Sequence, residues 1–106
     1  MKKIILASTS ISRKEQLKRL NISFDVVPPL VDEKELKQKI SDHRKLSREL
    51  SKLKVQSVGQ QFNKAIIIGG DTITSFNGNI VSKPKTKENA FNQLKMLNGN
   101  EHQIIT

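Results

Sequence analysis

Apolar and polar positions alternate in short blocks along this chain, and the blocks change period several times. Ile4-Ile5-Leu6-Ala7 is a continuous apolar run that predicts a buried strand, and it leads into Ser8-Thr9-Ser10. Ile11, Leu17 and Leu20 then fall near helical spacing, so the opening predicts strand, Ser-rich turn and helix. Ser10 as an N-cap, or Ser12 with Glu15 as a capping box, would start that helix equally well, and Asn21 would end it. Phe24-Asp25-Val26-Val27 predicts a second strand, stopped by Pro28-Pro29. The stretch from Asp32 to Gln60 is polar and helical in propensity. It carries a stripe of Leu46, Leu50, Leu53 and Ser57 or Val58, with Asp42 as a candidate N-cap.

The strongest strand pattern is Lys64 to Gly69, followed by Gly70-Asp71-Thr72. Ile73 to Phe76 continues as a strand into Asn77-Gly78, a hairpin turn, and Asn79-Ile80-Val81 returns. Thr86 caps a helix through Leu97 with Phe91, Leu94 and Leu97 on one face, and Gly99 supplies a left-handed stop. His102 to Ile105 begins a further strand that runs to Thr106. The expected class is α/β, in one incomplete domain over residues 1–106.

Composition narrows the function classes. At 106 residues with 35% hydrophobic content and only four Phe, no Trp and no Tyr, the core is modest and aliphatic. The absence of cysteine removes disulfide frameworks, zinc–thiolate clusters and thiol nucleophiles, and fits a reducing compartment. No apolar run is long enough to span a bilayer, and Met1-Lys2-Lys3 lacks the apolar core of a signal peptide, so a cytoplasmic chain without a membrane partner is expected. With 19 basic against 10 acidic residues, the net charge of +9 favours a polyanionic partner, although a lysine-rich solvated surface gives the same count.

Four places could carry chemistry. The turn from Ser8 through Ser10, Ser12, Arg13 and Lys14 gathers hydroxyls, unpaired first-turn N–H groups and two cations, which suits an anion; most Ser-rich helix starts only cap. Asp71 follows a buried strand, where a carboxylate can hold a divalent cation or aim a water; an Asp in a tight turn accounts for it about as well. Asp32-Glu33 could add a metal ligand or could simply favour a helix N-terminus. Lys83, fixed ahead of Pro84, suits phosphate as a point charge, and Lys54 lies on the polar side of the leucine-striped helix; both kinds of lysine are usually solvated. His43 and His102 have no metal-ligand spacing.

The order of these segments resembles the Maf family of nucleotide pyrophosphatases. The resemblance rests on Ile4 through Ser10, Val31-Asp32-Glu33, Lys52-Leu53-Lys54, Ala65 through Thr72, Gly78 through Pro84, and Leu97-Asn98-Gly99 with His102 and Thr106. It implies a Maf/ITPase-like mixed sheet flanked by helices, with only the N-terminal portion present, and a cleft between two lobes. It also implies hydrolysis of nucleoside triphosphates to monophosphate and pyrophosphate with a divalent metal, Mg²⁺ or Mn²⁺. By the same resemblance Asp71 would accept the proton of the attacking water and, with Glu33, hold the metal. Ser8, Ser10, Arg13, Lys54 and Lys83 would bind the triphosphate, while Ser12 and Thr72 stand at specificity positions.

This sequence departs from the family pattern in the turn, where Ile11 replaces Pro and Ser12 replaces an Arg or aromatic residue. Thr72 matches the dTTP/UTP branch, yet the opening Ile-Leu-Ala-Ser-Thr-Ser looks like the 7-methyl-GTP branch. Gly70 stands for a usual Ala or Ser, and Ser82 for a frequent Gly. The relatives also run well past Thr106. The alternative to an active enzyme is a truncated remnant that at most binds nucleotide. The expected partner is a nucleoside triphosphate, self-association into a homodimer stays open, and a nucleic-acid partner ranks last because aromatics and a cationic helix face are missing.

Overall fold

The computed structural model describes residues 2–106. Strand β1 (Lys3–Leu6) lies between β2 (Asp25–Val26) and β3 (Ala65–Ile68) in a parallel three-stranded sheet. Strand β4 (Ile73–Phe76) lies between β5 (Asn79–Val81) and β6 (Gln103–Ile105) in an antiparallel one. Helices α1 (Ile11–Lys18), α2 (Glu33–Lys39), α3 (His43–Gly59) and α4 (Lys87–Leu97) complete the α/β fold. The parallel and antiparallel parts are thus two separate sheets in this chain. No helix among the described residues is long and apolar enough to cross a membrane.

Local chemistry explains most boundaries. Ser10 is the N-cap of α1, its Oγ accepting from the Arg13 N–H at 3.2 Å, so of the two starts open to the sequence Ser10 takes the role. The polar stretch 32–60 divides into two helices at Ile40, which is extended, and Asp42 caps the second by accepting from the Arg44 and Lys45 N–H groups. The second strand is shorter than its pattern, because Asp25 and Val26 alone pair with Ile5 and Leu6. Asn77 and Gly78 both take positive φ, 51° and 78°, the requirement of a tight hairpin between right-twisted strands.

Two small cores sit on opposite ends of α3. Ile5, Ala7 and Val58 form one, with Val27, Phe62, Ala65 and Ile67 around it. Leu46, Leu50 and Ile73 form the other, with Val31, Leu36, Ile40 and Ile80 around it. The leucine stripe therefore faces both sheets in turn. His43 Nδ1 lies 2.6 Å from Ser75 Oγ and pins the start of α3 to β4. Helix α4 keeps the expected bounds, but Phe91 and Leu94 on its apolar face are exposed.

α3 and the end of β3 meet at Gly69, where a Cβ would come within 2.6 Å of Val55 Cγ2. Valine in a helix has one favoured rotamer and cannot turn the methyl aside cheaply. Gly69→Ala is expected to cost about 1–3 kcal/mol in urea unfolding, and adding Val55→Ala should recover most of the loss. Equal stability of Gly69→Ala and the native chain would show that the helix shifts freely.

Candidate functional site

Parallel pairing decides where the site forms. Leu6 is in register with Ile68, and the Ala7 N–H extends the ladder to Ile68 O at 2.8 Å. The two strands therefore end side by side, placing the Ser8–Ser10 turn next to Gly69–Thr72 outside the carboxyl edge of the sheet. Ser8 is buried and its Oγ accepts from the Ser10 N–H at 2.9 Å, which tightens the turn into α1. Arg13, in the first turn of α1, donates from Nη2 to Thr72 Oγ1 at 2.8 Å. A Cβ at Gly70 would sit 3.1 Å from Arg13 Nε, so the glycine lets the guanidinium lie against the backbone. Thr72 Oγ1 is also 3.2 Å from Thr106 Oγ1.

The acidic partners come from two other directions. Asp32 caps α2, its Oδ1 accepting from the Glu35 N–H at 3.3 Å, and leaves Glu33 as the first helical residue. Asp71 is held through its main chain, whose carbonyl accepts from buried Ser47 Oγ at 2.9 Å. Between the two carboxylates stands Lys54, reaching from α3, with Nζ 2.8 Å from Asp71 Oδ1 and 2.9 Å from Glu33 Oε1. Asp71 Oδ2 is buried with no hydrogen-bond partner.

A cleft of about 450 Å³ opens in front of these groups, and Ser8, Ser10, Arg13, Glu33, Lys54 and Lys83 line it. Thr9, Pro29, Val31, Asp32 and Lys34 complete its wall. Of the residues singled out in the sequence, Asp71 lies behind Lys54, Thr72 steadies Arg13, and Ser12 is exposed on α1 away from the wall. Ser47 and Lys34 had no individual signal. Ser47 could have been found: it stands seven residues before Lys54 on one helix, hence on nearly the same face.

Burial alone would push the Glu33 carboxyl up, but the hydrogen bond and charge of Lys54, with Lys37 and Lys83 further off, leave it below the ordinary 4.5. Burial would likewise pull Lys54 down, but its hydrogen bonds to Asp71 and Glu33 hold it above 10.5. The stability contributed by Glu33 is therefore present above about pH 4.5 and lost as pH falls through its lowered folded value; that of Lys54 is present below 10.5 and lost as pH rises through its raised one. Glu33 is two-fifths exposed, so the effect is small, about 1 kcal/mol or less. Thermal unfolding of the native chain and Glu33→Gln should differ by a constant amount from about pH 5 to pH 9 and converge on acidification. A difference that persists at pH 3 would assign it to packing.

Among the described residues no cluster of three or more His, Asp or Glu forms a self-sufficient metal cage. Two carboxylates at a polyanion-sized cleft, one with an unpartnered buried oxygen, do fit Mg²⁺ or Mn²⁺, which usually take one or two protein carboxylates together with substrate phosphates.

A nucleoside triphosphate pyrophosphatase of Pelagibacter ubique is 38% identical over 110 residues, covering 100% of this chain and 56% of its own length. A dTTP/UTP pyrophosphatase of Clostridium novyi is 43% identical, covering 98% of this chain and 54% of its own length. A 7-methyl-GTP pyrophosphatase of Bdellovibrio bacteriovorus is 40% identical, covering 99% and 54%. The chain spans about half the length of the curated relatives it matches. The family described as Maf-like protein matches residues 3–106, and with relatives of this similarity along the full chain, the protein belongs to the Maf family.

Proposed function

We propose that this chain carries part of a nucleoside triphosphate pyrophosphatase site, with Asp71 as the proton acceptor. The observation that supports it most is a cleft lined by Glu33, Lys54, Ser8, Ser10, Arg13 and Lys83, with Asp71 tied to it through Lys54. A triphosphate needs fixed donors and cations along its length, and its hydrolysis needs a carboxylate aimed at water. Ser8, Ser10 and the open first turn of α1 supply N–H and O–H donors, Arg13 a planar fork, and Lys54 and Lys83 point charges.

Water attacks the α phosphorus, its proton passes to Asp71, and the α–β bridging P–O bond breaks with the oxygen leaving on pyrophosphate. Glu33 and Asp71 would hold the divalent cation, which when bound offsets phosphate charge. Thr72 acts by holding Arg13 against the Gly70 backbone, a positioning role that is blind to the base. Relatives named for dTTP/UTP and for 7-methyl-GTP match this chain about equally well, so their names do not choose between the two bases.

The second reading is a nucleotide-binding remnant without turnover. It is favoured by Lys54, which lines the cleft and holds the Asp71 carboxylate that does not. Chromatography of dTTP, UTP, 7-methyl-GTP and ATP incubated with Mg²⁺ or Mn²⁺ and chain shown folded by circular dichroism separates the two. Monophosphate and pyrophosphate in equal amounts are expected. Nucleotide retained unchanged on a folded chain would leave binding as the function.

A further inference from the structure

Lys54 is held by two carboxylates at once. Its side chain is 15% exposed, and its ammonium bridges Asp71 Oδ1 and Glu33 Oε1, the two carboxylates suited to a divalent cation. One ammonium between two carboxylates leaves a single negative charge over, too little to attract a free divalent ion strongly. Removing the ammonium leaves two, which match it. Like charges drawn to the same two oxygens in a partly buried site repel, since the surrounding dielectric screens them far less than water does.

We propose that the Lys54 ammonium and a divalent cation exclude one another at the Asp71–Glu33 pair. The chain without nucleotide then holds the bare cation poorly, and the cation enters together with the triphosphate as Lys54 turns from carboxylate to phosphate. The lysine stem makes the exchange cheap: α3 fixes its backbone, while four rotatable carbons let Nζ move across a cleft it already lines. Triphosphate held by Ser10, Arg13 and Lys83 supplies the negative charge that draws it over. Departure of Lys54 also uncovers Asp71, whose Oδ2 is otherwise sealed. Lys54 is thus a cation placeholder that keeps the two carboxylates paired until substrate arrives.

This inference rests on Asp71 and Glu33 being the cation-holding pair. The test is titration with Mn²⁺ alone, free Mn²⁺ being read by electron paramagnetic resonance, on the native chain and on Lys54→Met. The variant is expected to bind Mn²⁺ at least about tenfold more tightly than the native chain, and the native chain with α,β-methylene-dTTP to take up more Mn²⁺ than the chain alone and the analogue alone together. Equal or weaker binding by a folded Lys54→Met overturns the exclusion. Failure of both proteins to take up Mn²⁺, even with the nucleotide analogue, overturns the exclusion and the cation-pair reading together.

Lys54→Met leaves buried Asp71 and half-buried Glu33 without their shared ammonium and could unfold, so a second measurement uses the native chain. Saturating Mn²⁺ should speed acetylation of Lys54 several-fold, read by mass spectrometry against exposed Lys87. An unchanged ratio would mean that Lys54 stays on the carboxylates, and the exclusion fails.

Discussion

Asp71→Asn is expected to lower pyrophosphate release by a factor of about 10² to 10⁴, the range a positioned general base supplies. The change is nearly isosteric and keeps an oxygen for Lys54 Nζ, but an amide cannot take the proton of the attacking water. The loop should survive it, because Ser47 Oγ holds the main-chain carbonyl of residue 71 and not its side chain. Nucleotide binding should persist as well, since Ser8, Ser10, Arg13 and Lys83 are untouched. The informative pattern is therefore retained binding and retained circular dichroism with turnover lost. Turnover equal to that of the native chain would remove Asp71 from the chemistry and with it the proposed mechanism.

The second large effect is on stability. Leu50 is 1% exposed and packs with Leu46 and Ile73 in a cluster of only three fully buried residues. Leu50→Ala removes the transfer energy of the side chain and leaves a cavity, a loss of about 2–5 kcal/mol. A domain of this size has about 5–15 kcal/mol in total, so the midpoint of thermal unfolding should fall by more than about 10 °C. Leu94→Ala is the contrast. Leu94 belongs to an equally regular stripe but is 69% exposed, and its removal should change stability by less than about 0.5 kcal/mol. Similar losses at the two positions would mean that α4 is buried in solution.

That pair of leucines also marks what the amino-acid pattern can and cannot convey. Periodicity identifies the apolar face of a helix, but not what covers it: α3 lies across both sheets, whereas the stripe of α4 meets solvent. The local motifs were legible. Strand β1 with its serine turn, β3 with Gly69-Gly70-Asp71, the Asn77-Gly78 hairpin and the Thr86 cap each depend on neighbours within a few residues. The break at Ile40 was not, because the segment is helical in propensity throughout; Asp42 was recognised as a cap without the implication that an earlier helix must stop before it.

The candidate site divides in the same way. Glu33, Lys54 and Asp71 were each identified, yet that one ammonium joins the two acids follows only from the packing of α2, α3 and the β3–β4 loop. Ser47 escaped notice because its bond to the carbonyl of Asp71 spans 24 residues of sequence. Ser12 was singled out from the family turn; it is exposed on α1 and is not one of the residues that line the cleft.

Because Leu46 and Leu50 anchor α3 in one core and Val58 anchors it in the other, the helix behaves as a ruler with a phase. Each residue advances about 1.5 Å and turns about 100°, so one residue gained or lost between Leu50 and Val58 would rotate one anchor by that angle relative to the other. Lys54 lies inside this interval and would swing with it, out of line with Asp71 or Glu33. The eight steps from Leu50 to Val58 are therefore closed to insertion and deletion by geometry, while side chains on the outer face of the same stretch are free to vary.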